Sequence, residues 1–298
     1  MEVIRGPYAI TNGLPEGHIS IEFTTLGELS RLATVVLDRL KDDVEGNQYL
    51  LVRQVPMQVI TRLAEDANTL DAIPFRLEWD GDTILIKVLP GFLHESPTYR
   101  LSSHVDREAT LMGVSRSDGS WGGASNYTSP TGTKGKQGDQ IFWPRSRAPV
   151  SGTPPGWPTL VLETGVTESR NRLEEDAKWW FHNSNGAVRI VVTIKLLSTS
   201  VEVRKWQLLP PNAPNPAPRP YVLNLRQQPA LMPPFAQQLP VNQQIFCLQE
   251  VTVTRNAVQG APLIIPFHAL FDRAPMPNES DIRITTADLR YILEAVAL

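Results

Sequence analysis

The stretch Pro158-Thr159-Leu160-Val161-Leu162-Glu163 decides the fold class of this chain. A short apolar run that follows turn residues predicts a buried β-strand. Residues 168–181 have the spacing of a helix with one apolar face, and residues 187–197 are a second apolar run rich in β-branched side chains. A strand, a helix and a strand in succession imply a parallel strand pair with a right-handed crossover. The sequence therefore predicts an α/β fold built on a mixed sheet.

Further elements follow from the same patterns on either side of this unit. Residues 75–79 and 83–89 are predicted to form a hairpin, because Asp80-Gly81 between them is a strong tight-turn signal. The remaining predicted strands are residues 140–143, 201–206 and 245–254, and the remaining predicted helices of this region are residues 98–112 and 286–296.

The first seventy residues show two helical patterns. Residues 25–41 carry an apolar stripe, and Thr25 is a candidate N-cap because Glu28 follows three residues later. Residues 57–70 form the second pattern, and Pro56 suits the start of a helix. We therefore predict an N-terminal helical extension at residues 1–72 and one larger α/β domain at residues 73–298.

Proline is the most unusual feature of the composition. The chain has 26 prolines in 298 residues, and ten of them lie in residues 209–240. Proline cannot donate to a strand ladder or sit inside a helix, so this region is predicted to be an extended surface segment. The apolar fraction of 41% excludes a wholly disordered chain, and the formal charge of −3 excludes a histone-like protein.

Cysteine content and hydropathy bear on the compartment. Cys247 is the single cysteine, so an intramolecular disulfide framework is excluded. The first twenty residues lack the basic and apolar regions of a secretory signal, and no run reaches the roughly 20 apolar residues of a membrane span. We therefore expect an intracellular protein, nuclear or cytoplasmic, without a membrane partner.

Three acidic residues stand out by position. Asp139 follows a Gly-rich loop and precedes a short strand, Glu163 ends an apolar strand, and Glu95 stands close to the start of a helix. A carboxylate at the end of such a strand is costly to bury alone, so it holds a cation, accepts hydrogen bonds or points outward. Each acid also has a purely structural interpretation. Asp139 could cap a turn, and Glu95 could stabilise the N-terminus of a helix through the helix dipole.

The segments around these acids resemble the PD-(D/E)XK nuclease-like superfamily. They are Lys136-Gln137-Gly138-Asp139-Gln140-Ile141-Phe142-Trp143, then Leu160-Val161-Leu162-Glu163-Thr164-Gly165, Asp176-Ala177-Lys178-Trp179-Trp180 and Val188-Arg189-Ile190-Val191-Val192. More specifically, the chain resembles uncharacterised fungal proteins related to the bacterial "putative restriction endonuclease" family. The resemblance runs from about residue 75 to the C-terminus and implies a restriction-endonuclease-like core, a mixed sheet flanked by helices.

The resemblance also implies a site and a cofactor. Asp139 and Glu163 would be the acids that hold Mg²⁺ or Mn²⁺, and Glu95 would be a third, helix-borne acid. The superfamily places a lysine two residues after the second acid, where this chain has Gly165. Lys178, on the following helix, is the lysine that would replace it. Alternatively, Lys178 is a solvent-exposed residue of that helix without a catalytic role.

Two functions are compatible with these features. The first is a metal-dependent nuclease that hydrolyses phosphodiester bonds of DNA or RNA. Lys134, Lys136, Arg145 and Arg147 flank Asp139 and form a basic cluster that would meet phosphates. The second is a catalytically degenerate nuclease-fold module that binds nucleic acid or protein, or associates with itself as a homo-oligomer. Gly165 at the lysine position favours the second.

Overall fold

The structure is a computed structural model that describes residues 3–4, 6–43, 46–89, 91–148, 156–166, 170–227 and 237–293. Three predicted features lie partly outside these ranges: residues 168–169 of one helix, residues 228–236 of the proline-rich segment and residues 294–296 of the last helix. None of the described helices combines the length and the apolar composition that a transmembrane span needs.

The described residues form sixteen strands and seven α-helices. In chain order they are β1 (Val3–Ile4), β2 (Ile19–Glu22), α1 (Leu26–Asp42), β3 (Tyr49–Arg53), α2 (Met57–Glu65), β4 (Phe75–Asp80), β5 (Thr83–Val88), α3 (Phe92–Leu111), β6 (Gly119–Trp121), β7 (Asn126–Thr128), β8 (Lys134–Gln137), β9 (Gln140–Pro144), β10 (Leu160–Gly165), α4 (Arg170–Asn183), β11 (Ile190–Leu196), β12 (Ser200–Leu208), α5 (Arg219–Gln227), β13 (Ile245–Thr254), β14 (Val258–Gln259), β15 (Leu263–Ile265), α6 (Phe267–Phe271), β16 (Ile282–Ile284) and α7 (Thr286–Leu293).

The first sheet contains the predicted strand–helix–strand unit. Its strand order is β1-β13-β12-β11-β10-β9-β6, with β14 paired to β13. Strands β10 and β11 are parallel, with Leu160 opposite Ile190, and β9, β12 and β13 pair antiparallel to their neighbours. The prediction of a mixed α/β architecture is confirmed. The more specific restriction-endonuclease-like core stays a prediction.

The second sheet joins the N-terminal region to the predicted hairpin. Its strand order is β2-β3-β5-β4-β8-β7, and β4 and β5 form the hairpin as predicted. The description of residues 1–72 as a helical extension is wrong, because β2 and β3 belong to this region and β3 pairs with β5. Tyr49–Arg53 is a strand that the sequence does not predict, because this short apolar run lies between two helical patterns. The division at residue 72 stays a prediction.

The helices cover the sheets in a way that leaves one face of the second sheet for charged residues. Helices α1 and α2 pack on one face of that sheet through Leu29, Val36 and Ile60, which join Leu77 and Ile86 in one core. Helix α4 covers the first sheet on the side of Val161, whereas Leu162 faces a separate core with α3, α6 and α7. The second face of the second sheet therefore lies toward β10 and α4.

Local signals predicted most helix starts, with two corrections. Thr25 caps α1 by accepting a hydrogen bond from the Glu28 amide, as predicted. Helix α3 begins six residues earlier than the predicted residue 98 and includes Pro97. The proline-rich segment is not wholly extended, because α5 buries Val222 and Leu225 against β13. Pro220 lies in the first turn of this helix, where no intrahelical N–H is needed.

Gly135 on β8 is a position where the fold requires glycine, and this yields a first prediction. Gly135 lies directly opposite Trp79, and a Cβ on Gly135 would come within 1.9 Å of the indole ring. We expect Gly135→Ala to lower the free energy of unfolding by about 1–3 kcal/mol, the usual effect of overpacking. Gly27 in α1 is the matched control, because its nearest neighbouring atom would be 4.0 Å away. Gly27→Ala should raise stability by about 0.4–1 kcal/mol, and urea titrations of both variants measure the difference.

Candidate functional site

Strand alternation in the second sheet places charged side chains on one face. Because successive side chains of a strand point to opposite faces, Leu77 on β4 enters the apolar core while Arg76 and Glu78 point away from it. Lys87 on β5 lies opposite Arg76, and Lys136 on β8 lies opposite Glu78. The cross-strand register thus pairs Glu78 with a base and places two bases, Arg76 and Lys87, side by side.

The first sheet and α4 supply the other half of the same cluster. Asp139 directly precedes β9, and Glu163 lies on β10 on the side that faces α4. Arg172 and Asp176 are four residues apart on α4 and therefore share one side of that helix. We call these residues the ion cluster: Arg76, Glu78, Lys87, Lys136, Asp139, Glu163, Arg172 and Asp176. Asp139 and Glu163 retain 6% and 2% of their exposed surface.

Asp139 is held by nitrogen donors. Its Oδ2 accepts hydrogen bonds from the Thr164 amide at 2.8 Å and from Lys87 Nζ at 3.2 Å. Lys87 Nζ also donates to the Thr164 carbonyl oxygen at 2.7 Å. The guanidinium of Arg76 lies 3.3 Å from Asp139 Oδ1. The ammonium of Lys87 therefore bridges the carboxylate of Asp139 and the backbone of the residue after Glu163.

Glu78 and Asp176 are cross-linked by two cations. Lys136 Nζ donates to Glu78 Oε2 at 2.8 Å and to Asp176 Oδ1 at 2.6 Å. Arg172 Nη2 donates to the same two oxygens at 2.6 and 2.8 Å. Arg172 Nη1 also donates to the carbonyl of Ile10 at 3.0 Å. This cross-link ties β4, β8, α4 and the N-terminal segment together.

Glu163 is the acid of the ion cluster whose burial is least offset by basic partners. Its Oε1 accepts a hydrogen bond of 2.6 Å from the indole of Trp180, and Lys136 Nζ lies 4.0 Å away. Burial raises the pKa of Glu163 to about 8, with Lys136 opposing and Asp139 reinforcing the rise. Glu163 is therefore largely protonated at neutral pH.

Asp176 and Lys136 are ionised in the folded protein. Burial would raise the pKa of Asp176, but Arg172 and Lys136 outweigh it and bring that pKa to about 2. Burial would likewise lower the pKa of Lys136, and Asp176 and Glu78 outweigh it, so that this pKa lies above its ordinary value. The mutual pairing keeps both charges buried.

The structure brings together two of the four predicted site residues. Asp139 and Glu163 belong to the ion cluster, joined through the bond from the Thr164 amide to Asp139. Glu95 is exposed in the first turn of α3. One turn later the Thr98 hydroxyl shares a hydrogen bond of 2.6 Å with the Thr164 hydroxyl. Glu95 is therefore not among the buried residues of the ion cluster, and its role as a third metal acid stays a prediction.

Lys178 points away from the ion cluster, and its role as the replacement lysine stays a prediction. It lies about 200° around α4 from Asp176, because two residues correspond to that rotation in an α-helix. Its Nζ donates to Glu175 at 2.5 Å on its own helix. The lysines of the ion cluster are Lys87 and Lys136. Their sequence signal is a lysine between Ile86 and Val88 in an otherwise apolar strand, and a lysine three residues before Asp139.

Most residues of the basic cluster predicted around Asp139 form ion pairs with acids of the same chain. Lys134 pairs with Asp80 at 2.7 Å, and Lys136 is buried in the ion cluster. Arg147 pairs with Asp272. Three of the four residues thus have acidic partners within the chain, which weakens the predicted contact with phosphates.

Comparison with known proteins found little. No protein-family model matches the chain, and no curated protein matches it. Among solved structures, it is similar to a protein from Anabaena variabilis that is described as a "putative nuclease" of the DUF820 group, with 13% identity and a TM-score of 0.34. The match covers 43% of this chain and 70% of that one. The relationship to fungal proteins stays a prediction.

The predicted Mg²⁺ or Mn²⁺ does not fit the ion cluster as it stands. Mg²⁺ requires about six oxygens at roughly 2.0–2.1 Å, whereas Asp139 Oδ2 already accepts two N–H donors. Within the described residues, no group of three or more His, Cys, Asp or Glu side chains is arranged to hold a metal ion. The cavity beside the cluster measures about 10 Å³, which is the space of a single water molecule.

The N-terminal segment closes the cluster from one side. A Cβ on Gly13 would come within 2.6 Å of the Arg172 amide, and Gly13 has a φ of +69°. Only glycine allows the backbone to approach α4 this closely in this conformation. The segment that carries Ile10 and Gly13 therefore seals the side of the cluster on which Arg172 lies.

Proposed function

We propose that this chain is a nuclease-like binding module that does not hydrolyse phosphodiester bonds. One observation carries the proposal: the ammonium of Lys87 occupies the space between Asp139 and the Thr164 carbonyl, where a catalytic cation would have to be. Four basic residues face three ionised acids and Glu163, whose pKa is raised by burial, so no further positive charge is required. Removing one partner from a buried acid–base network of this kind is strongly destabilising, so the network holds the elements that supply it together.

Glu163 and the space beside the cluster both support the proposal. The pKa of Glu163 is raised to about 8 in the metal-free protein, so a cation would have to displace a proton from it in order to bind. A phosphodiester and an attacking water also need far more room than the 10 Å³ beside the cluster. The acids that resemble a nuclease site therefore serve to lock the two sheets and α4 together.

An open groove of about 540 Å³ is the binding surface that we propose for a protein segment. Tyr8, Lys134, Gln243 and Val241 line it, and Lys134 is paired with Asp80. Lys134 is the single Lys or Arg among the described residues that line the groove, and it is paired with Asp80, whereas a polyanion would need unpaired cations. A polypeptide can meet both the polar and the apolar side chains of the lining.

A peptide-display selection tests the groove. Peptides selected on the wild-type protein should lose binding to Val241→Glu, because Val241 is 79% exposed at the groove. They should retain binding to Met57→Glu, a substitution on the exposed side of α2. Equal binding of the selected peptides to both variants would place the binding surface elsewhere.

A nuclease assay tests the absence of hydrolysis. We expect plasmid DNA, single-stranded DNA and RNA to remain intact with the purified protein and millimolar Mg²⁺ or Mn²⁺, to the same extent as with Asp139→Asn. We also expect no binding of nucleic acid that weakens steeply with salt, since such dependence reports phosphate contacts. Metal-dependent cleavage that disappears in Asp139→Asn would reject the proposal.

That last outcome would support a second candidate, a metal-dependent nuclease. The observation that favours it is the convergence of Asp139 and Glu163 with the ammonium of Lys87. In that function Asp139 and Glu163 would hold the metal, and Lys87 would take the role predicted for Lys178. Lys87→Met would then abolish cleavage, whereas Lys178→Met would leave it unchanged.

A further inference from the structure

We infer that the groove binds its partner as an added β-strand along the edge of β1 that faces away from β13, and that this partner is an uncharged segment with apolar side chains at alternate positions. The inference rests on the proposed function, because it states how the groove holds a protein segment and which segment it takes. It concerns peptide binding alone and can be measured without nucleic acid.

The groove follows the edge of the first sheet. β1 is the strand at one end of that sheet and pairs with β13, with Val3 opposite Phe246 and Ile4 opposite Ile245. Val3 packs on the core that contains Phe246, and Ile4 packs on the core that contains Ile245, so the two side chains point to opposite faces. Both residues also line the groove. A groove that reaches both faces of β1 has to run along its edge.

One residue of β1 directs its backbone groups toward this edge. In an antiparallel pair, positions that exchange hydrogen bonds alternate with positions that do not. One of Val3 and Ile4 therefore bonds to β13, whereas the other points its N–H and C=O away from β13. Such an edge is a template for another strand, whose backbone bonds supply affinity while its side chains supply specificity.

The lining of the groove favours an uncharged segment. Among the described residues that line it there is no Asp or Glu, and the ammonium of Lys134 is paired with Asp80. Burial lowers the pKa of His182 to about 4, so this imidazole is neutral at neutral pH. A charged side chain of the partner would lose hydration in the groove without gaining an opposite charge.

The rim of the groove favours apolar side chains. Val241 is 79% exposed there, and Leu239, next to the lining residue Pro240, is 60% exposed. A partner that covers these aliphatic side chains removes apolar surface from water, which is favourable. Because alternate side chains of a strand point to one face, every second residue of the segment faces this rim. The segment is therefore expected to alternate apolar and uncharged polar residues.

The experiment is a scan of single N-methyl groups along the peptide that display selection on the wild-type protein returns. Each N-methyl group removes one backbone N–H and leaves all side chains in place. We expect binding to weaken by at least about tenfold at every second position and by less than about threefold at the positions between, because alternate residues of a strand bond to the same neighbour. Isothermal titration calorimetry with the unchanged protein measures each dissociation constant.

Val3→Pro and Ile4→Pro test the same bonds from the side of the protein, because proline lacks the N–H that a ladder uses. The variant at the position bonded to β13 should have a lower melting temperature. The other should keep the melting temperature of the wild type and bind the peptide at least about tenfold more weakly. Val3→Ala and Ile4→Ala are the matched controls, because they shorten the side chain and keep the N–H.

Three results would overturn the inference. One is a peptide that loses binding to Val241→Glu but shows no alternation in the N-methyl scan. Another is a folded pair of proline variants that both bind the peptide as tightly as their alanine controls. The third is a selection that returns mainly charged peptides. Peptides that bind Val241→Glu as well as the wild type would reject the proposed function instead, so the two failures are distinguishable.

Discussion

Lys136→Met will lower the free energy of unfolding by about 3–5 kcal/mol. Lys136 donates to Glu78 and Asp176 deep in the ion cluster, and its side chain retains 7% exposure. Methionine has a similar length but no charge, so the substitution leaves two buried carboxylates with one shared partner, Arg172. The cost of a buried charge that has lost its partner exceeds the net value of the original pair.

Lys134 provides a control on the same strand. It lies two residues before Lys136, points to the same face and pairs with Asp80, but both partners are about one-third exposed. Lys134→Met should change stability by only about 0–1 kcal/mol, as for other surface ion pairs. Guanidinium titrations of both variants measure the contrast. Adding Glu78→Gln to Lys136→Met should recover part of the loss, because it removes one of the abandoned charges.

An equal, small effect of both substitutions would contradict this account of the ion cluster. It would mean that water reaches Glu78 and Asp176 and replaces the lost donor. The cluster would then be a hydrated cleft rather than a sealed interior, and the argument that a phosphodiester cannot enter would fail with it. The stability measurement therefore bears on function as well as on folding.

The parts of the fold that depend on near neighbours were predictable from the sequence. The Asp80-Gly81 turn fixes its hairpin, Thr25 caps its helix, and the apolar runs around Glu163 give the parallel pair. Each of these signals acts within a few residues or one crossover. The strand at Tyr49–Arg53 was missed because it is a short apolar run between two strong helical patterns.

The composition of the site was only half predictable, because its two halves come from different sheets. Asp139 and Glu163 carry a recognisable spacing, but Lys87 lies 52 residues before Asp139 in sequence. No local pattern indicates that β5 passes over β10. The sequence indicates Lys178 because it lies on the helix that follows Glu163, but in the structure Lys178 contacts Glu175. The sequence spacing identifies Asp139 and Glu163, whereas the contact between the two sheets determines which basic residues lie beside them.

Glu163→Gln will become more stable than the wild-type protein as the pH rises. In the unfolded chain the Glu163 carboxyl loses its proton near its ordinary pKa of about 4.3, whereas burial holds its pKa in the folded protein at about 8. Between these values only the folded state keeps the proton, so rising pH destabilises the wild type. The gap in favour of Glu163→Gln should widen by about 1.4 kcal/mol per pH unit from pH 5 to 8 and then stay constant.

The comparison of two proteins isolates Glu163 from other titrating groups. Burial lowers the pKa of His182 to about 4 and that of Lys205 to about 7, and it also lowers the pKa of His104. These groups give stability the opposite dependence on pH, but they are present in both proteins and cancel in the difference. Glu28→Gln is the control, because the hydrogen bond from Arg31 lowers the pKa of Glu28 and leaves it ionised above pH 5 in both states.

The pH dependence of this gap measures the charge of the ion cluster in the metal-free protein. A neutral Glu163 leaves three charged acids against four bases. The substituted amide still accepts the bond from Trp180, so a widening gap reports the lost proton rather than a lost contact. A gap that stays constant from pH 5 to 8 would show that Glu163 is ionised when folded, and it would contradict a pKa raised by burial.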